Sequence, residues 1–411
     1  MNQFLANSIE KIVSKEGKKF LHLSSCFRPS EIFYIKEKNP SLYVHIPFCK
    51  TLCPYCSFNR YLYQEELAVR YFEALEKEMH FYKEKGFDFQ DVYFGGGTPT
   101  VNIPLLQSCI ETLQNLFSIQ QISIEANPCD LTDPTIQVLK SMGIDRLSIG
   151  VQSFKDKLLQ EMGRRSHTSK EAKIAIEKSL SHFSTTNIDF IFNFPTQSLD
   201  DLYTDIQQVK SIGVNQATFY PLMPSPHKKS AMERRFNTID TNREYSFYQL
   251  LQKEMKGTFT PSTCWCFSKD QQRIDEYIIH HPDYVGIGAG SVGFLNGTFL
   301  VNTFYPENYI QKVTKDNVAI VMSKVSSNKE AARYYMLTQL FGMQLDSALL
   351  RNQYGHVIDT ELMMLRLSSI IRKQKSMYYT TDSGMFYIGL MMKHFFIGLN
   401  NLRELCIQNK L

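Results

Sequence analysis

The chain reads as an α/β protein on a mostly parallel sheet, followed by a small, mostly helical C-terminal segment. Three observations predict this. Short runs rich in β-branched and aromatic residues alternate with amphipathic stretches of helical period. The residues of chemical interest fall just after the strand-like runs, where α/β folds assemble their sites. Beyond about residue 326 the strand-like runs give way to helical patterns.

The first 40 residues form an N-terminal extension. Its opening, MNQFLANSIEKIVSKEGKK, lacks the long apolar core and small-residue cleavage site of a signal peptide. The main unit spans 41–260, with strands at SLYVHIP (41–47), DVYFGG (91–96), QISIEAN (121–127), RLSIGVQS (146–153), NIDFIFNFP (187–195) and NQATFYPL (215–222). Between them, Leu67, Tyr71, Leu75 and Met79 recur every fourth residue, and Leu106, Ile110, Leu113 and Phe117 mark a second helix. Six strands separated by helices imply a parallel sheet; the pattern fits a closed barrel and a doubly wound sheet equally. After Leu222 the rhythm fades through the polar connection MPSPHKKSAMERRFNTIDTNRE, and residues 261–325, including PDYVGIGAGSVGFLNGTFLVNTF, read as strands and Gly-rich turns that complete the main unit. Residues 326–411 read as the helical C-terminal domain. In it MFYIGLMMKHFFIGL (385–399), interrupted by Lys393 and His394, is too short to span a bilayer and reads as a buried helix.

Composition excludes some classes. The 411 residues carry 45 Lys and Arg against 41 Asp and Glu, a net charge of +4 spread along the chain, so no nucleic-acid or anionic-membrane partner is expected. Nine cysteines is an odd count, and Cys26, Cys109, Cys129, Cys264, Cys266 and Cys406 suggest no disulfide framework. A reducing cytoplasm is the expected location.

The sharpest local signal is HIPFCKTLCPYCSFNRY (45–61), where Cys49, Cys53 and Cys56 stand at C-x3-C-x2-C on the loop after the first strand. A structural zinc wants four ligands, and the nearest fourth is His45. Three thiolates on one loop suit instead a cubane iron–sulfur cluster with one iron left open, a departure from four-cysteine ligation.

The C-x3-C-x2-C loop with an aromatic before its last Cys resembles the cluster loop of the radical S-adenosylmethionine enzymes. The wider string YVHIPFCKTLCPYCSFN, with GGGTP (95–99), EANP (125–128), RLSIGVQSF (146–154), GR (163–164) and IDFIFNFPTQ (188–197), is similar to one branch of them. That branch holds oxygen-independent coproporphyrinogen III oxidase (dehydrogenase) and its haem-chaperone relatives, and the likeness runs from about Tyr43 to Asn302. It implies a partial (β/α)6 barrel and a 4Fe-4S cluster on Cys49, Cys53 and Cys56. The open iron would be chelated by the amino and carboxylate groups of S-adenosylmethionine, cleaved by a low-potential electron to a 5′-deoxyadenosyl radical.

By the same resemblance Gly96, Gly97 and Thr98 line the cofactor, the glycines allowing close approach and their amides facing a carboxylate. Glu125 and Gln152, at strand ends, face ribose or ammonium groups; their structural alternatives are an ion pair and a capping amide. Asp189, inside an apolar strand, needs a partner and would meet ribose or adenine. Arg164 faces the cofactor carboxylate, with adjacent Arg165 leaving a one-residue ambiguity. Tyr43, on the same side of its strand as His45, stands by the cluster, and Tyr55 flanks the adenine.

The implied function is a radical enzyme of porphyrin metabolism, similar to the dehydrogenase, in which hydrogen abstraction from a propionate β-carbon and decarboxylation leave a vinyl group. The alternatives are a haem-binding chaperone, and a relative performing methyl transfer or haem ring opening. The implied partners are a tetrapyrrole (coproporphyrinogen III or haem) and an electron donor such as flavodoxin or ferredoxin. Two departures from the dehydrogenase pattern stand out: Phe58 occupies the position of a further Cys, as in the chaperone branch, and the strand end usually read Gly-Leu-Pro is Asn193-Phe194-Pro195. The 40-residue extension, in contrast, is dehydrogenase-like. In STCWCFSKD (262–270), alternation about a buried Trp is favoured for Cys264 and Cys266 over redox thiols or extra cluster ligands, and the adjacent histidines of HHPDY (280–284) read as exposed polar residues before they read as haem ligands. Abundant aromatics, 22 Tyr and 29 Phe, suit a flat tetrapyrrole as well as a packed core.

Overall fold

The computed structural model describes residues 3–24, 29–35, 39–236, 242–269, 279 and 281–410. Six strands, β1 (Ser41–Ile46), β2 (Asp91–Gly96), β3 (Gln121–Ala126), β4 (Arg146–Gln152), β5 (Thr185–Phe192) and β6 (Gln216–Pro221), lie side by side in chain order, all parallel. Helices cross over between them: α2 (Glu65–Glu84), α3 (Ile103–Leu116), α4 (Asp133–Ser141), α5 (Asp156–Met162), α6 (Ser169–Ser179) and α7 (Leu199–Ile212). Parallel neighbours need such crossovers, and sequential order brings all six C-terminal strand ends to one edge. Several helices start at side-chain caps legible in sequence: Asn102 accepts from Leu105 N, and Thr168/Glu171 and Ser198/Asp201 form capping boxes.

The polar connection after Leu222 is not irregular. It carries α8 (Pro226–Phe236) and α9 (Asn242–Met255), and α9 buries Phe247, Tyr248, Leu251 and Met255 against the core. Nor do residues 261–325 complete a barrel. They extend the sheet at both edges: β7 (Thr260–Pro261) and β8 (Cys266–Ser268) run beside β6, β8 antiparallel to it, while β9 (Tyr284–Ile287) pairs parallel with β1 and continues into the antiparallel β10 (Val292–Leu295), β11 (Thr298–Asn302) and, after α10 (Pro306–Asp316), β12 (Ile320–Val325). Among the described residues no ladder joins β6 to β1, so the parallel core stays open.

The C-terminal region holds α11 (Asn328–Phe341), α12 (Ser347–Tyr354), α13 (Asp359–Leu367) and α14 (Asp382–Gln408), plus a small antiparallel sheet of β13 (Gln344–Asp346), β14 (Ile371–Gln374) and β15 (Met377–Thr380) that helical periodicity did not signal. The apolar run at 385–399 lies inside α14, largely buried, and no helix of the described residues is long and apolar enough to cross a membrane. Lys393, which interrupts that run, is buried in an ion pair with Glu244 of α9. The N-terminal extension forms α1 (Gln3–Phe20), packed along α14, where His394 meets Ser14 Oγ (3.5 Å) and Glu10 (3.7 Å). Phe20 anchors it by stacking on Tyr334 with ring centroids 5.5 Å apart.

Beneath the first strand's end, Glu78 of α2 is fully buried. Its Oε2 accepts from the Tyr309 hydroxyl and the Gly288 N–H (3.4 Å), while Oε1 finds no partner among the described residues. Desolvation pushes its pKa up to about 8 from 4.5. The folded state thus keeps a proton that the unfolded chain releases, so this group's contribution falls as pH rises through 4.5 to about 8 and stays lost above. Glu78→Gln is expected to flatten that slope, so that the variant loses less stability than wild type between pH 5 and 8. Urea melts from pH 5 to 8.5 test this, and an unchanged slope in the variant would contradict it.

Candidate functional site

The sheet's C-terminal edge opens onto a cavity of about 320 Å³. Every residue assigned above to cluster or cofactor lines it: Tyr43, Cys49, Cys53, Tyr55, Cys56, Gly96, Gly97, Thr98, Glu125, Gln152, Arg164 and Asp189. Tyr43 lies on β1 and the cysteines and Tyr55 on the loop after it, Gly96 ends β2 with Gly97 and Thr98 directly after it, Glu125 lies on β3, Gln152 ends β4 with Arg164 just beyond α5, and Asp189 lies on β5.

The cysteine loop leaves β1 through Pro47 and returns at Tyr61. Its base is pinned by a short parallel ladder between Phe48–Cys49 and Tyr61–Leu62, with Tyr63 N donating to Cys49 O at 2.9 Å. Inside the loop, the Arg60 guanidinium donates to Cys53 O and to Cys56 O (3.0 Å). Cys49 and Cys53 are buried and Cys56 is partly so. Thr98 Oγ1 donates to Cys49 Sγ and Arg164 Nη1 to Cys53 Sγ, both at 3.5 Å. Burial pushes the Cys49 thiol up to about 11, so a thiolate there requires a compensating positive charge such as iron.

The zinc alternative fails on its fourth ligand. His45 Nε2–H donates to Asn59 O and Nδ1 accepts from the Tyr43 hydroxyl, both at 2.9 Å, and burial holds the imidazole neutral with its pKa pulled down to about 4. Among the described residues no three His, Cys, Asp or Glu side chains are gathered closely enough for a single metal ion. Three sulfurs on one loop, two receiving donors from the opposite wall and flanked by Arg60 and Arg164, fit the larger, anionic cluster.

The glycine motif behaves differently from expectation. Its amides do not face the cavity: Gly96 N donates to Glu125 Oε2 (3.2 Å), Gly97 N to Ile46 O (2.8 Å) and Thr98 N to Phe48 O (2.8 Å). The turn zips onto the backbone entering the cysteine loop, because the β1–β2 ladder continues past the strand ends. A Cβ on Gly97 would lie 2.7 Å from Phe48 O and 2.9 Å from Ile46 O, so only glycine permits this contact.

Glu125 also accepts from the Tyr93 hydroxyl (3.0 Å). Gln152 has φ +69°, and the β4–β5 register slips between Gly150 and Gln152, which turns that strand end into the cavity. Asp189 accepts from Ser148 Oγ (2.6 Å) and Asn187 Nδ2 (2.8 Å), and desolvation raises its pKa. Of the two adjacent arginines Arg164 lines the cavity, its Nη2 donating to Asn127 Oδ1 (2.6 Å) and Gly150 O (2.7 Å), whereas Arg165 is exposed. Asn193, in place of the usual glycine, has φ +61°, a conformation asparagine tolerates better than other side chains.

Some cavity residues escaped the sequence. Asn127 bridges Arg164 and Thr98 Oγ1 (2.9 Å) and lay unremarked inside EANP. Tyr93 sits two residues before the glycines, and period-two alternation would have found it. Arg60 carried no motif. Trp265, Phe396 and Asn400 line the far wall from distant segments, which no local pattern announces. Cys264 and Cys266 are fully buried core residues flanking that Trp. His281 is paired with Asp91 at 2.8 Å, and His280 lies outside the described residues. No described residue of the N-terminal extension lines the cavity.

Residues 43–209 match the radical SAM superfamily. The heme chaperone HemW of Bacillus subtilis is 29% identical over 292 residues, covering 67% of this chain and 76% of that one. HemW of Buchnera aphidicola subsp. Schizaphis graminum is 32% identical over 293 residues, 66% of this chain and 77% of that one. The oxygen-independent coproporphyrinogen III oxidase of Pseudomonas aeruginosa is 24% identical over 331 residues, 73% and 71% of the two chains. In fold, the chain is similar to coproporphyrinogen III oxidase (HemN) from Escherichia coli, with TM-score 0.78, 20% identity, and coverage of 91% of this chain and 95% of that one. The chain belongs to the radical SAM superfamily, whose cofactors are a 4Fe-4S cluster and S-adenosylmethionine, in the branch that holds the HemW heme chaperones and the oxygen-independent coproporphyrinogen III oxidases.

Proposed function

We propose that this chain is a haem-binding chaperone of the radical SAM type, which keeps the cluster site and S-adenosylmethionine pocket and carries a tetrapyrrole to a client protein. The observation that carries this reading is Phe58. It stands two residues after the third cysteine, lines the cavity and is 62% exposed, so a phenyl ring occupies the place where the dehydrogenase has a thiol.

When bound, the cluster and S-adenosylmethionine supply reductive C–S cleavage and a hydrogen-abstracting radical. The chain's own residues bind and orient. Cys49, Cys53 and Cys56 hold the cluster. The carbonyls of Gly96 and Gly97, with Glu125, accept from the ammonium group of S-adenosylmethionine, Arg164 faces its carboxylate, and Gln152 and Asp189 receive its ribose. Tyr43 and Tyr55 wall off water on the sides of the cluster and the adenine. The setting is a reducing cytoplasm, with flavodoxin or ferredoxin as electron donor where reduction is needed.

The second reading is oxidative decarboxylation of coproporphyrinogen III, favoured by the HemN-like architecture over nearly the whole chain. One experiment separates them. The reconstituted protein is titrated with haem, then incubated with reductant, S-adenosylmethionine and coproporphyrinogen III, with 5′-deoxyadenosine and tetrapyrrole followed by mass spectrometry. Stoichiometric haem binding with intact coproporphyrinogen supports the chaperone. Loss of carboxyl groups in step with 5′-deoxyadenosine overturns it in favour of the dehydrogenase.

A further inference from the structure

The far wall of the cavity is built by the C-terminal helix α14, more than 170 residues beyond the region matched by the superfamily. One face of that helix carries Lys393, Phe396, Asn400, Arg403 and Ile407, spaced three or four apart. Each position on this face makes a contact. Lys393 pairs with Glu244, and Phe396 and Asn400 line the cavity. Asn400 Nδ2 donates to Met223 O (3.2 Å), beyond β6, and Ile407 O accepts from the Tyr305 hydroxyl (2.9 Å).

Arg403 reaches the cysteine loop itself. Its Nη1 donates to Ser57 O and to Phe58 O (2.7 Å), the two carbonyls directly after Cys56. Together with Arg60, which takes Cys53 O and Cys56 O, two guanidinium groups engage four carbonyls of one short loop. The Arg403 side chain is only 12% exposed, and the Nε atoms of both Arg60 and Arg403 find no hydrogen-bond partner among the described residues. Two neighbouring half-buried cations without a full set of partners repel each other unless an anion lies close by. The nearest carboxylate to Arg403 is Glu404, at 4.0 Å.

We propose that Arg403 is a positioning residue of the cluster site: from the C-terminal helix it fixes the carbonyls after Cys56, so that the cysteine loop is set for its cluster only when α14 is docked. Arg403 and Arg60 hold four carbonyls of the loop and so fix the backbone that carries Cys53 and Cys56. Their charge also favours the more negative, reduced cluster. Docking of the C-terminal helix, and any client that shifts it, thereby acts on both the order of the loop and the ease of reducing the cluster. The functional meaning rests on the reading of this loop as the cluster site, whereas the first test below does not.

Hydrogen exchange of the cluster-free full chain is compared for wild type, Arg403→Gln and Arg403→Lys. Arg403→Gln should speed exchange of peptides over residues 49–63 by about tenfold, while peptides of 382–402 keep their protection. Should Arg403→Gln loosen the whole helix, Arg403→Lys serves, since a single ammonium cannot span two carbonyls as the planar fork does. It is then expected to speed loop exchange with the helix still protected. Loop exchange unchanged in whichever variant keeps the helix protected overturns the proposal. In reconstituted protein the cluster midpoint potential should move negative in Arg403→Gln and return toward wild type in Arg403→Lys. An equal potential in all three overturns the electrostatic part, and failure of every variant and the wild type to take up iron would count against the cluster reading instead.

Discussion

Cys53→Ser protein is expected to emerge from anaerobic reconstitution nearly colourless, holding about one tenth of the wild-type iron and acid-labile sulfide. A serine hydroxyl is a far weaker acid than a thiol and a harder ligand, so it cannot replace a thiolate on iron. Cys53 is also the sulfur that receives Arg164 Nη1, so its loss removes a ligand and one of the three acceptors of that guanidinium. Cys109→Ser should keep full iron, because Cys109 lies in the core of α3. Cys129→Ser is the more demanding control: Cys129 lines the cavity yet stands on the loop after β3, and three-thiolate ligation requires that its removal spare the cluster. Wild-type iron in Cys53→Ser, or loss of iron in Cys129→Ser, would contradict the assignment of Cys49, Cys53 and Cys56 as the ligand set. The measurement is iron and sulfide per chain, with thermal melts of the cluster-free proteins to show that the fold is unchanged.

Arg164→Gln should weaken S-adenosylmethionine binding by about a hundredfold, whereas Arg165→Gln leaves it unchanged. The two arginines are adjacent in sequence and opposite in environment. Arg164 ties together three elements, donating to Cys53 Sγ on the cysteine loop, Asn127 Oδ1 after β3 and Gly150 O in β4. Arg165 points to solvent. Removing the Arg164 guanidinium leaves Asn127 Oδ1 and Gly150 O short of a donor, at about 1–3 kcal/mol for each acceptor left buried and unsatisfied. The stability loss and the binding loss are separable. Isothermal titration of the reconstituted protein with S-adenosylmethionine reads the second, and urea melts of the cluster-free chain read the first. Equal binding by wild type and Arg164→Gln would remove this residue from the cofactor site, even if the variant were less stable.

The sequence carried most of the parallel core because its signals are local. A strand buried on both faces needs a run of apolar residues, and a crossover helix needs apolar residues at every third or fourth position; both leave their period in the chain. The cysteine loop was legible for a related reason: its three thiols lie on one loop and so are close in sequence. The glycine turn was found for its flexibility but with the wrong donors, since whether an amide faces a ligand or a neighbouring strand depends on the β1–β2 ladder. The two helices after β6 were missed because α8 is polar, and the small C-terminal sheet because its strands are only three or four residues long.

Sequence by itself determined the βα order, the three thiols and the chain of strand-end residues that line the cavity. Tertiary structure alone decided that the sheet stays open and is extended at both edges, and that α1 of the N-terminal extension clasps α14, with no described residue of the extension lining the cavity. It also decided that α14 brings Phe396 and Asn400 to the cavity and Arg403 to the cysteine loop. The physical reason is separation along the chain. Arg403 and Ser57 lie 346 residues apart, and their meeting is fixed by where a buried helix face can pack, which no spacing within either segment encodes.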